Sequence, residues 1–173
     1  MTILETDRLV LRWMTSDDAA FMLELLNDPS WIRFIGDRGV RTLERAREYI
    51  EKGPAASYAR HGFGLYLTEL KGSGRPIGIC GLIKRDSLED VDVGFALLPP
   101  YRSQGYAFEA ASAVLSLGRS AFGLTRIVAV TDPENQSSIK LLEKLGLRFE
   151  RMVRLSADDT ETSLYAQGTP PSA

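Results

Sequence analysis

The sequence has only one cysteine, Cys80, and one histidine, His61, among 173 residues. A single cysteine excludes an intramolecular disulfide, and a single histidine excludes any metal site that needs two histidines from one chain. No run of about 18 apolar residues is present, so no segment is typical of a membrane span. The acidic N-terminus lacks the apolar core of a signal peptide. We therefore expect a cytoplasmic protein without a metal site or a membrane partner.

The sequence also has no large excess of charge of either sign, because 21 basic and 23 acidic residues give a net charge of −2. This balance argues against nucleic acid as a partner. A chain of this length with 44% hydrophobic residues can bury a core of its own. We expect a single domain over residues 1–167 and a flexible tail over 168–173, and we find no sequence signal for an oligomeric state.

The order of the predicted elements indicates a mixed sheet with helices packed on it. Near the N-terminus, the pattern predicts a strand, two helices ending near residues 27 and 53, and an irregular stretch over 30–41 between them. The later strands are predicted at 63–69, 76–84, 91–98, 126–131, 147–154 and 160–166. Further helices are predicted at 106–122 and 135–145.

The predicted strand Val91–Leu98 puts a carboxylate beside very small residues. Its two faces alternate, with Val91, Val93, Phe95 and Leu97 on one and Asp92, Gly94, Ala96 and Leu98 on the other. The second face forms a trough that suits a ligand. A glycine bulge near a sheet edge with a solvated Asp92 explains the same pattern.

The segment Pro99–Ala110 leads from this strand through a loop into a helix. Gly105 permits unusual backbone angles, and the exposed N–H groups of the helix start favour an anion, with Arg102 as a charge partner. An ordinary helix N-terminus with one glycine is the alternative.

The helix predicted at 135–145 begins with Asn135 as its N-cap and carries Ser138 on its first turn. Ile139, Leu142 and Leu145 form its apolar stripe, and Gly146 ends it. A capped structural helix explains most of this pattern.

Taken together, these segments resemble the GNAT superfamily of acyl-CoA-dependent N-acyltransferases, and more closely its ribosomal-protein N-terminal acetyltransferase branch. The likeness covers nearly the whole chain. Its motifs are Leu4–Arg12, Gly78-Ile-Cys-Gly81, Asp92-Val-Gly-Phe95, Arg102–Ala107 followed by Glu109-Ala110, and Asn135–Ser138 with Lys144-Leu-Gly146. The resemblance implies an α+β fold. Its sheet would have six to seven strands, mixed but largely antiparallel, with about four helices on both faces and a splay between the fourth and fifth strands.

The resemblance also implies acetyl-CoA as a co-substrate. Backbone groups of the fourth strand would pair with the pantetheine arm, the loop N–H groups would bind the pyrophosphate, Asn135 would hydrogen-bond the cofactor, and Ser138 would reach the pantetheine or the sulfur. The implied cofactor-binding residues are Phe95, Ala96, Leu97, Leu98, Arg102, Ser103, Gln104, Gly105, Tyr106, Ala107, Asn135 and Ser138.

For catalysis, the resemblance implies Asp92 as a general base that acts through water, and a backbone N–H near Leu97 that polarises the thioester. Many relatives carry a tyrosine that protonates the leaving thiolate, and Leu142 occupies that position here. Ser138 or a water then serves as the donor, or the thiolate leaves unassisted, since thiol pKa values lie near ~8.5.

Trp31 and Phe34 lie in the stretch that walls the acceptor site in the family, so we expect them, with Asp92, to contact the acceptor. A role in the core is the alternative for both aromatic residues. We interpret Cys80 as a buried structural thiol. His61 is interpreted as a solvated loop residue, with a role in the substrate pocket as the alternative. The acids Asp86, Glu89, Asp90 and Asp92 form a solvated turn, or attract a cationic amine if they face the cleft.

The expected activity is acetyl-CoA-dependent N-acetylation of a primary amine, by direct attack in a ternary complex. The acceptor is open: a protein N-terminus, a polyamine, an amino acid or an aminoglycoside-like compound. Two alternatives are a non-catalytic acyl-CoA-binding module, which Leu142 favours, and an enzyme for longer acyl groups, which Gly94 and Ala96 favour.

Overall fold

The computed structural model describes residues 1–168, which form an eight-stranded sheet with helices on both faces. The strand order is β1-β2-β3-β4-β5-β6-β8-β7, and every neighbouring pair is antiparallel except the parallel pair β5 and β6. The strands are β1 Thr2–Glu5, β2 Leu9–Arg12, β3 Leu65–Leu70, β4 Pro76–Ile83, β5 Asp92–Leu97, β6 Arg126–Thr131, β7 Arg148–Val153 and β8 Thr162–Gly168. This arrangement confirms the mixed, largely antiparallel α+β fold.

The count of strands exceeds the expected six to seven because residues 2–5 form an additional edge strand. β1 pairs antiparallel with β2, which the sequence predicts as the first strand. Of the tail expected over residues 168–173, Gly168 is the last residue of β8, and the remainder lies outside the described residues.

The helices divide between the two faces of the sheet. They are α1 Ala19–Leu26, α2 Pro29–Phe34, α3 Leu43–Ile50, α4 Ala56–His61, α5 Tyr106–Phe122 and α6 Gln136–Lys144. One core cluster joins α5 and α6 to the sheet through residues such as Val114 and Leu142, and a second joins α1 and α3 through Met22 and Ile50. No helix within residues 1–168 combines the length and apolar character that crossing a membrane requires.

The prediction of an irregular stretch over 30–41 is wrong in its first part, because α2 occupies Pro29–Phe34. Asp28 and Pro29 stop α1, but they also start the next helix. The Asp28 carboxylate accepts a hydrogen bond from the Trp31 N–H at 3.3 Å, and Pro29 occupies the first turn. Aspartate as N-cap and proline at the first helical position are favourable in those places.

The helix predicted to end near Gly53 continues beyond it. A π-helical turn over Glu51–Ala55 accommodates Gly53 and Pro54, and α4 then runs to His61. Gly62 ends it in the left-handed conformation with φ 81°. The wider turn tolerates a proline, which has no N–H to donate.

The sheet opens between β5 and β6. Within residues 1–168, these strands share one bridge, Asp92 opposite Val128, where the Val128 N–H donates to the Val91 carbonyl at 3.0 Å. Beyond this point the two strands part. This confirms the splay expected between the fourth and fifth predicted strands.

Candidate active site

A cavity of 1190 Å³ fills the gap between β5 and β6 and extends to α2, α3 and α4. It brings together residues that are distant in sequence. Among the predicted site residues, those that line it are Trp31, Phe34, Asp92, Phe95, Ala96, Asn135 and Ser138. The predicted residues Leu97, Leu98 and 102–107 do not line this cavity and lie at or beyond the C-terminal end of β5.

Only alternate residues of β5 turn their backbone N–H and carbonyl groups toward the gap beside β6. The Leu98 N–H donates to the Ile77 carbonyl at 2.9 Å, so Ala96, two residues earlier, also turns its polar groups toward β4. Phe95 and Leu97 turn theirs toward the gap. The Leu97 carbonyl accepts from Arg102 Nε at 3.0 Å. The groups of these two residues that have no partner within residues 1–168 are therefore the N–H and carbonyl of Phe95 and the N–H of Leu97. The prediction that backbone groups of Ala96 and Leu98 also bind the pantetheine is therefore corrected.

The loop before α5 has the form of an anion site. Ser103 and Gly105 are in the left-handed region, with φ 61° and 83°. In the described part of the chain, the N–H groups from Ser103 to Phe108 have no hydrogen-bond acceptor. Successive free N–H groups at the start of a 17-residue helix concentrate positive potential, which suits a pyrophosphate.

The Arg102 side chain does not serve this loop as a free charge, contrary to the sequence prediction. Its guanidinium donates to the Asp28 carboxylate at 2.6 Å, to Ser30 Oγ at 3.1 Å and to the Leu97 carbonyl. Its own N–H donates to the Pro99 carbonyl at 3.2 Å. Arg102 therefore holds the loop in place rather than offering a group to an anion.

A second brace on this loop comes from the turn between β1 and β2. The Glu109 carboxylate accepts from Thr6 Oγ1 at 2.6 Å and from Arg8 Nε at 2.7 Å, and Arg8 Nη1 donates to the Gln104 carbonyl at 3.0 Å. Burial raises the pKa of Glu109, but these donors outweigh it and the net direction is downward. Sequence reasoning noted the motifs around Arg8 and Glu109 but did not pair them.

Asp92 is 1% exposed, so the alternative of a solvated aspartate at a bulge is wrong. Its Oδ1 accepts a hydrogen bond from Arg85 Nε at 3.1 Å. Burial raises the pKa of Asp92 above its usual value, and the charge of Arg85 opposes that rise. Sequence reasoning missed Arg85, which follows β4 and reaches Asp92 because β4 and β5 are antiparallel neighbours.

The start of α6 borders the gap from the β6 side. The Asn135 side chain accepts from the Ser138 N–H at 3.2 Å, which confirms it as the N-cap. The Ser138 hydroxyl has no partner within residues 1–168, and it lines the cavity. Leu142, one turn further, is buried and also borders the cavity, so no proton donor stands at that position.

Trp31 is 5% exposed within the α1–α3 core cluster, which confirms its role in the core. It also borders the cavity, and its contact with the acceptor stays a prediction. Phe34 is half-buried in the cavity wall. The interpretation of His61 as a loop residue is wrong, because it is the last residue of α4. It lines the cavity, with its ring stacked on Phe63 at 5.5 Å between ring centroids. Cys80 is buried, and burial raises the pKa of its thiol, so the structural interpretation holds.

The acidic turn contributes little charge to the cavity. Asp90 pairs with Arg126 Nε at 2.9 Å, and Asp86 and Glu89 are exposed away from the cavity. Asp92 alone of the four borders it. Attraction of an amine by the whole cluster is therefore not supported.

With this geometry established, comparison with known proteins identifies the family. Residues 8–148 match the acetyltransferase (GNAT) domain family. The chain belongs to the GNAT acetyltransferases. It is similar to the uncharacterized N-acetyltransferase YoaA of Bacillus subtilis, with 31% identity over 97% of this chain and 91% of that protein. As a member of this family, it is an acetyltransferase with acetyl-CoA as its acetyl donor.

Solved structures of this family share the fold. A GNAT-family acetyltransferase from Bacillus anthracis is 27% identical, with a TM-score of 0.78 over 97% of this chain and 98% of that one. RimL, a ribosomal L7/L12 alpha-N-protein acetyltransferase solved with coenzyme A, superposes with a TM-score of 0.81 over 97% and 98% of the chains at 16% identity. The fold is thus also that of ribosomal-protein acetyltransferases.

Proposed function

We propose that this GNAT acetyltransferase transfers the acetyl group of acetyl-CoA to a primary amine by direct attack within a ternary complex. The observation that carries the proposal is the arrangement along β5. The anion loop follows one end of the strand, the free groups of Phe95 and Leu97 lie along its open edge, and Asp92 begins it. At ~3.3 Å per residue, Asp92 and Leu97 are roughly 17 Å apart.

The described residues fit acetyl-CoA. The N–H groups of residues 103–108 would hold the pyrophosphate, the open edge of β5 would pair with the amide groups of the pantetheine, and Asn135 would contact it from the facing side. When bound, acetyl-CoA supplies the acetyl thioester. The remaining chemistry belongs to the chain's own side chains and to the acceptor.

Asp92 would prepare the amine. An aliphatic amine is mostly protonated at neutral pH and cannot attack until a base removes a proton. A raised pKa makes the Asp92 carboxylate a stronger base than a solvated aspartate. Because the side chain is short and buried, a bridging water would carry the proton to the carboxylate.

Two further groups would assist the transfer. An amine beside Asp92 cannot reach a thioester held by the Leu97 N–H, which is roughly 17 Å away, so the role expected near Leu97 would fall to the Phe95 N–H. This N–H also has no partner in residues 1–168, and it would donate to the thioester carbonyl as negative charge develops on its oxygen. The C–N bond then forms, the nitrogen gives up its second proton to water, and the C–S bond breaks so that the sulfur leaves as a thiolate. The free Ser138 hydroxyl would donate to that sulfur in place of the tyrosine that Leu142 replaces.

The test is release of free thiol from acetyl-CoA with a panel of α-amino acids, polyamines, aminoglycosides and N-terminal peptides, with the acetylated amine identified by mass. We expect release that depends on one acceptor class. Tight binding of acetyl-CoA by calorimetry, without release for any class, would instead favour a non-catalytic binding module.

The same assay tests acyl length. A Cβ placed on Gly94 would lie 3.1 Å from Ile83 Cδ1 and 3.5 Å from Leu65 Cδ2, so these side chains already fill the trough expected there. We expect acetyl-CoA to react faster than butyryl-CoA. The reverse order would favour the longer-acyl alternative.

A further inference from the structure

The acceptor side of the cavity carries positive charge that is not used by ion pairs. Within the described residues, the Arg38 guanidinium has no hydrogen bond or ion pair. The Arg85 guanidinium makes one side-chain hydrogen bond there, from Nε to Asp92. Both side chains border the cavity. The two Nη atoms of Arg85 are therefore free to bind a ligand beside the proposed base.

A tyrosine borders the same cavity as these two arginines. Tyr49 is half-buried on α3 and borders the same cavity, and its hydroxyl has no partner within residues 1–168. Burial raises the pKa of Tyr49, and the charges of Arg38 and Arg85 oppose that rise. Lys84 Nζ donates to the Arg85 carbonyl at 2.7 Å and fixes the turn that presents Arg85.

This cluster is separate from the pyrophosphate loop. Arg85 reaches Asp92 at the first residue of β5, whereas the loop follows its last residue, Leu97. The length of the strand places roughly 17 Å between the two ends. The phosphates of the cofactor therefore do not account for the free charges of Arg38 and Arg85.

The facing wall has the opposite sign. Asp132, Asp159 and Glu161 border the cavity from the β6–α6 loop and the β7–β8 connection. None of the three forms an ion pair within residues 1–168. These acids favour a ligand that also carries a positive charge, and they add to the attraction that Asp92 exerts on an amine.

We infer that the acceptor is a free amino acid, whose carboxylate is bound by Arg38, Tyr49 and the Nη atoms of Arg85 while its amine faces Asp92. Arginine pairs with carboxylates through two parallel hydrogen bonds. Because Arg85 also touches Asp92, the carboxylate would lie only a few bonds from the amine. A protein N-terminus has an uncharged amide there, and polyamines and aminoglycosides have only cations.

This inference rests on the proposed function and narrows its acceptor. The test compares kcat/KM for α-amino acids and for their carboxamides, which keep the shape and lose the charge. It uses the wild type, Arg38→Gln and a control, Arg47→Gln, on the exposed side of α3 outside the cavity.

We expect the wild type to prefer one or more amino acids over their carboxamides by at least about tenfold, as for a charge-assisted hydrogen bond. Arg38→Gln should lower kcat/KM for the amino acid more than for the carboxamide and so reduce this preference by about tenfold, whereas Arg47→Gln should keep the preference.

Equal rates for both forms, equal effects of the two variants, or faster transfer to peptides than to amino acids would overturn the inference while leaving amine acetylation intact. Absence of release with every amine would instead contradict the proposed function itself.

Discussion

The guanidinium of Arg102 donates to the Asp28 carboxylate at 2.6 Å, although the residues are 74 positions apart. This pair joins the loop before α5 to the N-terminus of α2. Since α2 carries Trp31 and Phe34, one contact connects the proposed pyrophosphate site with the acceptor wall. We expect the two halves of the site to depend on each other through it.

A double-mutant cycle measures this connection. Asp28 is 7% exposed, so Arg102→Met leaves a buried carboxylate without its partner and should lower the free energy of unfolding by about 2 kcal/mol. Asp28→Ala also removes the N-cap of α2, which is worth about 1 kcal/mol. In denaturant unfolding, we expect the double variant to lose less than the sum of the single losses. Strict additivity would show that the pair contributes nothing.

The pH dependence of activity reports on Asp92. Since burial raises its pKa, the acid limb of kcat/KM should lie above the range of a solvated aspartate, with activity rising as the carboxylate loses its proton. Arg85 stabilises the charged carboxylate, so Arg85→Met should raise that pKa further and move the limb to higher pH. Arg47→Met, a surface control, should leave it in place. A limb that moves to lower pH in Arg85→Met would contradict the assignment.

Alanine substitutions at two glycines, one in the anion loop and one outside it, test whether this loop binds the cofactor. Gly105 and Gly123 flank α5 and have φ 83° and 64°, so alanine at either position costs about 1 kcal/mol in backbone strain. Only Gly105→Ala changes the path of the loop N–H groups. We expect it to raise KM for acetyl-CoA about tenfold, while Gly123→Ala leaves that KM unchanged. A similar KM for acetyl-CoA in both variants would show that Gly105 has no specific role in cofactor binding.

Ser138 and Ser137 are adjacent on α6 but differ in surroundings. Ser138 is half-buried beside the cavity, and Ser137 is exposed. If Ser138 assists the leaving sulfur, Ser138→Ala should lower kcat about tenfold with little change in KM, a modest effect because a thiolate also leaves unassisted. Ser137→Ala should have the wild-type kcat. An unchanged kcat in Ser138→Ala would show that Ser138 does not assist the leaving sulfur, so that water does so or the thiolate leaves unassisted.

Elements with a strong local pattern could be predicted from the sequence. The bounds of α5 and β6 agree with the predicted 106–122 and 126–131 because their apolar period is clear and Gly123 ends the helix. Prediction failed where residues that usually end a helix have a different role. Asp28 and Pro29 end one helix and start another, and Gly53 and Pro54 lie inside a continuous helical segment.

Candidate site residues that belong to a sequence motif could be predicted, whereas their contact partners from other parts of the fold were missed. Asp92, Asn135 and Ser138 border one cavity as expected. The partners Arg85 for Asp92 and Asp28 for Arg102 were missed, because contacts that only the tertiary fold creates leave no periodic pattern along the chain. The misassigned role of Arg102 has the same cause, since its charge was visible but its neutralising partner was not.

The most direct test of the account is the rate of thiol release by Asp92→Asn at saturating acetyl-CoA and saturating acceptor. Calorimetry must first show that this variant binds acetyl-CoA as the wild type does. The account predicts normal binding and a kcat lowered by about 10²-fold or more, as expected for loss of a general base. Normal binding with a wild-type kcat would contradict the role of Asp92 and remove the centre of the proposed mechanism.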